Sequence, residues 1–222
     1  MISRRELKFY INHFDYIQLR TRLRAIAKPD INGSADNGYI VRSLYFDNCF
    51  DKVVFDKLSG QSNREKFRIR YYNADVSFIR LEKKSKANKF VGKENVLVTS
   101  EQCGEILLGS YDCLKLDNVP LMMELYTKIR TQNLRPRNIV EYRREAYTFK
   151  AGNVRITLDS GIKTSDSVRD FLSPRLVTVP ATVDIVMEVK YDGFLPDVIQ
   201  DLIQIDNRNQ TEFSKYVASR LI

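Results

Sequence analysis

Arg64, Lys66, Arg68 and Arg70 occupy every second position of one stretch. On an extended chain residues two apart share a side and lie about 7 Å from each other, so a strand here sets four cations in a row. Like charges at that spacing repel, and an anion relieves them. The guanidinium fork grips two phosphate oxygens at once while lysine adds a point charge on a longer stem, so the favoured chemistry is recognition of phosphoryl groups. The same alternation recurs elsewhere. Arg4, Glu6 and Lys8 oppose Leu7 and Phe9; Arg80, Glu82, Lys84 and Lys86 oppose Ile79 and Leu81; Glu188 and Lys190 oppose Met187, Val189 and Tyr191. Lys93, Arg144 and Arg155 fall on the charged sides of further segments. An ordinary wet sheet face also alternates, but with mixed signs. Here the cations exceed Glu6, Glu82, Asp159 and Glu188 by enough to account for the whole net charge of +8. Glu6 and Glu82 are expected to pair with neighbouring cations, and Glu188 to bridge a divalent metal to phosphate.

The elements that must position these groups are mostly strands. Arg4 to Tyr10, Tyr39 to Asp47, Arg64 to Tyr72, Val76 to Lys86, Lys93 to Thr99, Ile139 to Phe149, Val154 to Asp159 and Val183 to Tyr191 follow a two-residue period. Helical spacing joins Tyr16, Leu19, Leu23 and Ile26, then Leu121, Leu125 and Ile129 after Pro120, then Val198, Ile199, Leu202 and Ile203 after Pro196. A closing helix is expected over Phe213 to Ile222 and a short one within Cys49 to Leu58. Lys28 to Gly38 reads as a loop. The class is therefore α+β, an eight-stranded antiparallel barrel with a basic interior and helices outside, in one domain over residues 1–222. A closed barrel would focus the potential of its cations.

The pI near 9.3 points to an anionic partner. Cys49, Cys103 and Cys113 are an odd number without a CxxC pair, which suggests neither a disulfide framework nor a zinc site and fits a cytoplasmic location. The start lacks the apolar run of a signal peptide, and no window approaches the roughly 18 apolar residues of a membrane span. His13, the sole histidine, is read as a cap or loop residue rather than a base. Tyr45, Tyr71, Tyr72 and Tyr142 raise the question of single-stranded nucleic acid. Most of these aromatics alternate with the basic positions, Tyr71 falling opposite Arg68 and Arg70, so no nucleic-acid partner is expected.

In order and spacing, the sequence resembles the catalytic domain of the vacuolar transporter chaperone (VTC) polyphosphate polymerases of the CYTH, or triphosphate tunnel, superfamily. The resemblance is carried by Arg4-Arg5-Glu6-Leu7-Lys8, Ser43-Leu44-Tyr45-Phe46-Asp47, Lys66-Phe67-Arg68-Ile69-Arg70, Leu81-Glu82-Lys83-Lys84-Ser85-Lys86, Tyr142-Arg143-Arg144-Glu145-Ala146-Tyr147, Arg155-Ile156-Thr157-Leu158-Asp159, and Met187-Glu188-Val189-Lys190-Tyr191 before Pro196. It covers nearly the whole chain, to Ser214-Lys215-Tyr216. It implies an eight-stranded antiparallel tunnel that transfers the γ-phosphate of ATP, or another nucleoside triphosphate, to a growing polyphosphate chain with manganese or magnesium. Arg68, Arg70, Lys84, Arg144, Arg155 and Lys190 would hold the reacting phosphates, with Lys8 beside them. Glu188 would bind the metal, and Ser214 and Lys215 would close one mouth. By face, Arg4, Lys66, Lys86 and Lys93 extend the phosphate-binding set.

Triphosphatases and cyclases of that superfamily begin with ExExK and carry paired glutamates for two metals. Here Arg4 stands first and only Glu188 precedes Lys190. Activating water needs a metal or base beside it, whereas an acceptor phosphate needs mainly to be held. Transfer to polyphosphate or pyrophosphate is thus favoured over a metal-dependent triphosphatase or a non-catalytic binding module. No direct membrane insertion is expected, and product translocation would require a separate membrane protein.

Overall fold

The computed structural model describes residues 4–30, 38–88, 90–116, 118–205 and 208–221. In chain order the elements are β1 (Arg4–Ile11), α1 (His13–Ile26), β2 (Lys28–Pro29), β3 (Tyr39–Asp47), α2 (Lys52–Leu58), β4 (Asn63–Tyr72), β5 (Asp75–Ala87) and β6 (Phe90–Val98). They continue with α3 (Ser100–Leu107), α4 (Cys113–Leu116), α5 (Pro120–Gln132), β7 (Arg135–Phe149), β8 (Val154–Ser165), β9 (Val179–Pro180), β10 (Ile185–Asp192), α6 (Asp197–Ile203) and α7 (Lys215–Ala218). The eight longer strands follow the hydrogen-bonded order β1-β10-β8-β7-β3-β4-β5-β6, with the two-residue β2 and β9 beside β7 and β8. This is the α+β class with the eight-stranded antiparallel sheet that the alternation predicts. The chain groups into two compact units, one of Met1–Ile40, Tyr142–Ile162 and Thr182–Ser214, the other of Val41–Glu141, Lys163–Ala181 and Lys215–Ile222.

In the first unit, Asn12 starts α1 with a reciprocal cap: its Oδ1 accepts from the Asp15 N–H at 2.8 Å, and Asp15 Oδ2 accepts from the Asn12 N–H at 3.0 Å. Leu19 and Leu23 of α1 and Ile199, Leu202 and Ile203 of α6 bury against Ile156, Leu158, Met187 and Val189. That apolar packing leaves the alternate positions of β1, β8 and β10 on the other side. Lys8 stands opposite Glu188 and Glu6 opposite Lys190 on β1 and β10. Glu188 and Lys190 stand opposite Thr157 and Arg155 on β8.

In the second unit, Phe67, Ile69 and Tyr71 of β4 and Ile79 and Leu81 of β5 pack with Leu44 and Phe46 against Cys103 and Ile106 of α3 and Leu121, Leu125 and Ile129 of α5. β4 turns into β5 through Asn73 and Ala74, both with positive φ (50° and 59°), the backbone of a two-residue hairpin. The other side carries a cationic grid. Lys66 pairs in register with Lys84 and Lys84 with Lys93; Arg64 pairs with Lys86, Arg68 with Glu82, and Arg70 with Arg80.

Several boundaries depart from expectation. The closing helix is only Lys215–Ala218, and Leu221 beyond it is 68% exposed, so it contributes little burial to extend the helix. β7 and β8 are longer than the alternation indicates, reaching Arg135 and Ser165. The Lys28 to Gly38 loop includes β2, and its residues 31–37 lie outside those described. His13, expected as a cap or loop residue, is the first residue of α1 and stacks on Tyr16 at 5.7 Å, while the cap is Asn12.

Candidate functional site

The cations of the charged strand faces form two clusters, one in each unit. In the first, β1, β10, β8 and the second half of β7 set Lys8, Lys190, Glu188 and Arg144 among Glu6, Thr157 and Asp159. Arg144 makes a two-pronged bond to Asp159, Nε to Oδ1 at 2.6 Å and Nη2 to Oδ2 at 2.7 Å, with Asp159 fully buried. The guanidinium lies over the Tyr142 ring at 5.3 Å. Burial disfavours its charge, but Asp159 more than compensates and the Arg144 pKa stands well above the ordinary value. Such a pair fixes the fork without a flexible partner.

Lys8 Nζ lies 2.6 Å from Glu6 Oε1 and donates to the Phe213 carbonyl at 3.2 Å. Lys190 Nζ bonds Glu188 and lies 3.8 Å from Glu6. Burial works against the Lys8 charge, yet Glu188 and Glu6 raise its pKa. Burial and Glu188 likewise oppose the Glu6 charge, yet Lys8 and Lys190 lower it. Both shifts favour the charged forms, an ammonium on Lys8 and a carboxylate on Glu6. Thr157 Oγ1, on the strand position facing Glu188, is buried with no hydrogen-bond partner. Arg155 is tied at Nε to Asp30 at 2.8 Å and at Nη2 to the Tyr39 hydroxyl at 3.2 Å. Arg4, half-exposed, lies 3.8 Å from Asp192 at the strand end.

In the second cluster Glu82 is the hub. Its Oε2 accepts from Arg68 Nε and Nη2 at 2.7 and 2.5 Å and lies 4.0 Å from Arg70, while its Oε1 is 3.1 Å from Lys93. Burial would raise the Glu82 pKa, but Arg68, Arg70 and Lys93 bring it down to about 2. Arg70, 6% exposed, donates from Nε to Ser43 Oγ at 3.0 Å. Lys66 and Lys86 occupy the same face, half-buried, and Lys84 and Lys93 are exposed on it. Glu6 and Glu82 pair with cations, as their positions predict.

Ser214 ends the first unit's last segment and Lys215 begins α7 in the second. The alternation left three partners out. Thr157 shares the side of Arg155 and Asp159, a parity visible in the sequence. Asp30 reaches Arg155 from 125 residues away, which no local pattern signals. Tyr45, 2% exposed, stands opposite Arg68 on the basic side, because Ser43, Tyr45 and Asp47 alternate with Leu44 and Phe46. Tyr142 is also on a basic side. Both rings are buried under cations, which leaves no open face on which a base could stack.

Among the described residues no three His, Cys, Asp or Glu side chains gather as a ready metal cage, and no helix is long and apolar enough to cross a membrane.

The family model of the VTC domain matches residues 3–222. No curated protein matches the chain significantly. Among solved structures, a candidate adenylate cyclase from Bacillus halodurans shares the fold, with a TM-score of 0.51 at 12% identity over 92% of each chain. The PH1819 protein from Pyrococcus horikoshii gives 0.42 at 16% identity, covering 90% of this chain and 84% of that one. A candidate adenylate cyclase from Vibrio parahaemolyticus gives 0.44 at 10% identity, over 89% and 80%.

Proposed function

The chain belongs to the VTC domain family, and from that premise we propose that it is a polyphosphate polymerase-like phosphotransferase, moving the γ-phosphate of ATP onto a phosphate chain. The observation that carries this reading is the kind of charge on the two basic strand faces. Guanidinium and ammonium groups dominate, and Glu6, Glu82 and Asp159 are each engaged by cations rather than collected for metals. Phosphoryl transfer asks mainly for positioning and for charge already in place along the reaction path. Arg144 held by Asp159, and Arg68 held by Glu82, supply oriented donors that need no rearrangement when phosphate arrives.

Manganese or magnesium fits the first cluster. Such ions commonly take one or two carboxylates from the protein and complete their shell with phosphate oxygens and water. Glu188 offers a buried oxygen donor, and the unpartnered Thr157 hydroxyl facing it would be satisfied by a coordinated water or a phosphate oxygen. The ion would neutralise charge on the transferring group. Around it Lys8, Lys190, Arg144 and Arg155 would orient phosphates, Arg4 would attract them, and Ser214 would be a contact for the chain. In the second cluster Arg68, Arg70, Lys84, Lys66, Lys86 and Lys93 would do the same work, with Lys215 as a further contact.

Incubating the purified chain with ATP and Mn²⁺ should yield long phosphate chains by gel and phosphorus NMR. Inorganic phosphate as the sole product would replace this reading with a triphosphatase. Binding of tripolyphosphate without turnover would make the chain a phosphate-binding module.

A further inference from the structure

We propose that Tyr45 is a positioning residue for Arg68, whose hydroxyl releases a proton when the second cluster is empty and regains it when a phosphate anion enters. This rests on reading that cluster as phosphate-binding. The geometry supplies the reason. Tyr45 is opposite Arg68 in the β3–β4 register and its hydroxyl accepts from Arg68 Nη1 at 3.3 Å. Lys66 Nζ lies 5.6 Å and Arg68 Cζ 6.0 Å from the ring centroid. The ring is 2% exposed and stacks on Tyr216 at 4.9 Å. Tyr216 donates its own hydroxyl to Asp47 at 2.8 Å, and Asp47 Oδ1 accepts two backbone N–H groups, so both are committed elsewhere.

Among the described residues, the charged groups that face the hydroxyl include Lys66, Arg68 and Arg70 from β4, with Glu82 from β5 bonded to Arg68 and 3.1 Å from Lys93 of β6. Glu82 is shared by Arg68, Arg70 and Lys93. Burial favours the protonated phenol, but Arg68, Lys66 and Arg70 outweigh it and bring the pKa down to about 7. As phenolate, Tyr45 accepts from Arg68 and holds the guanidinium toward β3. An entering phosphate adds negative charge to the same cations, so the phenolate takes a proton from solvent and gives up its share of the positive field.

Anion affinity should then fall as pH rises through about 7, by up to about tenfold per pH unit for one proton taken up. The ligand-free fold moves the other way. The folded pKa lies below the unfolded one, so between about 7 and 10 the unfolded chain holds a proton that the folded chain has lost, and stability rises with pH.

The chain has 12 tyrosines and no tryptophan, so its near-ultraviolet absorbance reports phenolate directly. Titration of the full, ligand-free chain should show one phenolate forming near pH 7 that Tyr45→Phe lacks, and tripolyphosphate added at about pH 8 should abolish it. Calorimetry should show wild-type affinity for tripolyphosphate falling up to about tenfold more than that of Tyr45→Phe between about pH 7 and pH 8. Because both proteins meet the same ligand, its own titration cancels. Absence of any phenolate below about pH 9, or parallel pH dependence in the two proteins, overturns the role of Tyr45. Failure of both proteins to bind tripolyphosphate at any pH defeats the phosphate reading of the cluster, and the proton coupling falls with it; the ligand-free titration tells the two failures apart.

Discussion

Arg68 and Phe67 are adjacent in sequence and opposite in work. The Phe67 ring is 1% exposed in the core beneath α3 and α5, while Arg68 turns to Glu82 and Tyr45. Removing the ring should cost about 3–5 kcal/mol of stability and leave the affinity of the folded molecules for tripolyphosphate unchanged. Arg68→Ala removes a charge-assisted fork but leaves Arg70 and Lys93 near Glu82. Its affinity loss should be about tenfold or more, from the roughly 1.5–3 kcal/mol of hydrogen bonds to charged groups. Denaturant unfolding and calorimetry separate the two effects, and matched affinity losses would count against the face assignment. This division was legible in the sequence, because parity along one strand requires no knowledge of its neighbours. The partners across strands were less legible. Nothing local aligns Tyr45 with Arg68, 23 residues on, or Asp30 with Arg155, because register between distant strands is set by the packed sheet.

At the scale of elements, long strands with clean alternation were readable and short or disguised ones were not. The eight-residue α3 escaped notice although Thr99 and Gln102 form a reciprocal cap at its start; at that length the apolar period has barely two turns in which to show itself. β7 begins at Arg135, earlier than expected, because Pro136 and Asn138 interrupt the apolar alternation; the Asn138 amide donates to Ser219 and Thr164 within the second unit. Where strands run close, small residues matter more than pattern. Gly38 has φ +65°, and a Cβ there would sit 2.3 Å from the Arg144 carbonyl oxygen. Gly38→Ala therefore meets both a left-handed backbone and a backbone atom that cannot swing aside. The expected cost is about 1–3 kcal/mol from the backbone conformation alone, with the phosphate affinity of the folded fraction also lowered, since β7 must shift at the residue whose guanidinium is held by Asp159. Thermal unfolding and tripolyphosphate calorimetry test the pair of effects. Lost stability with intact affinity would mean that the shift is absorbed without moving Arg144.

The charge of the whole chain, +8, belongs to two kinds of cation that salt should distinguish. Arg4 has a half-exposed side chain at the end of β1, with Asp192 at 3.8 Å, where solvent and salt screen its pull on an approaching polyanion. Arg144, its side chain 12% exposed, is paired with a fully buried carboxylate. Raising ionic strength from about 0.1 M to about 1 M shortens the screening length from about 10 Å to about 3 Å. That change removes long-range attraction by exposed charges and leaves buried contacts nearly untouched. Arg4→Ala should therefore weaken tripolyphosphate binding several-fold at the lower salt and hardly at all at the higher. Arg144→Lys keeps a charge but loses the planar fork, and its loss should be similar at both, because the geometry of the grip changes rather than the field. Calorimetry of both variants and wild type at the two salt concentrations is sufficient. An Arg4 effect that persists at about 1 M would make it a direct phosphate contact, and an Arg144 effect that vanishes there would mean that its fork never touches the anion.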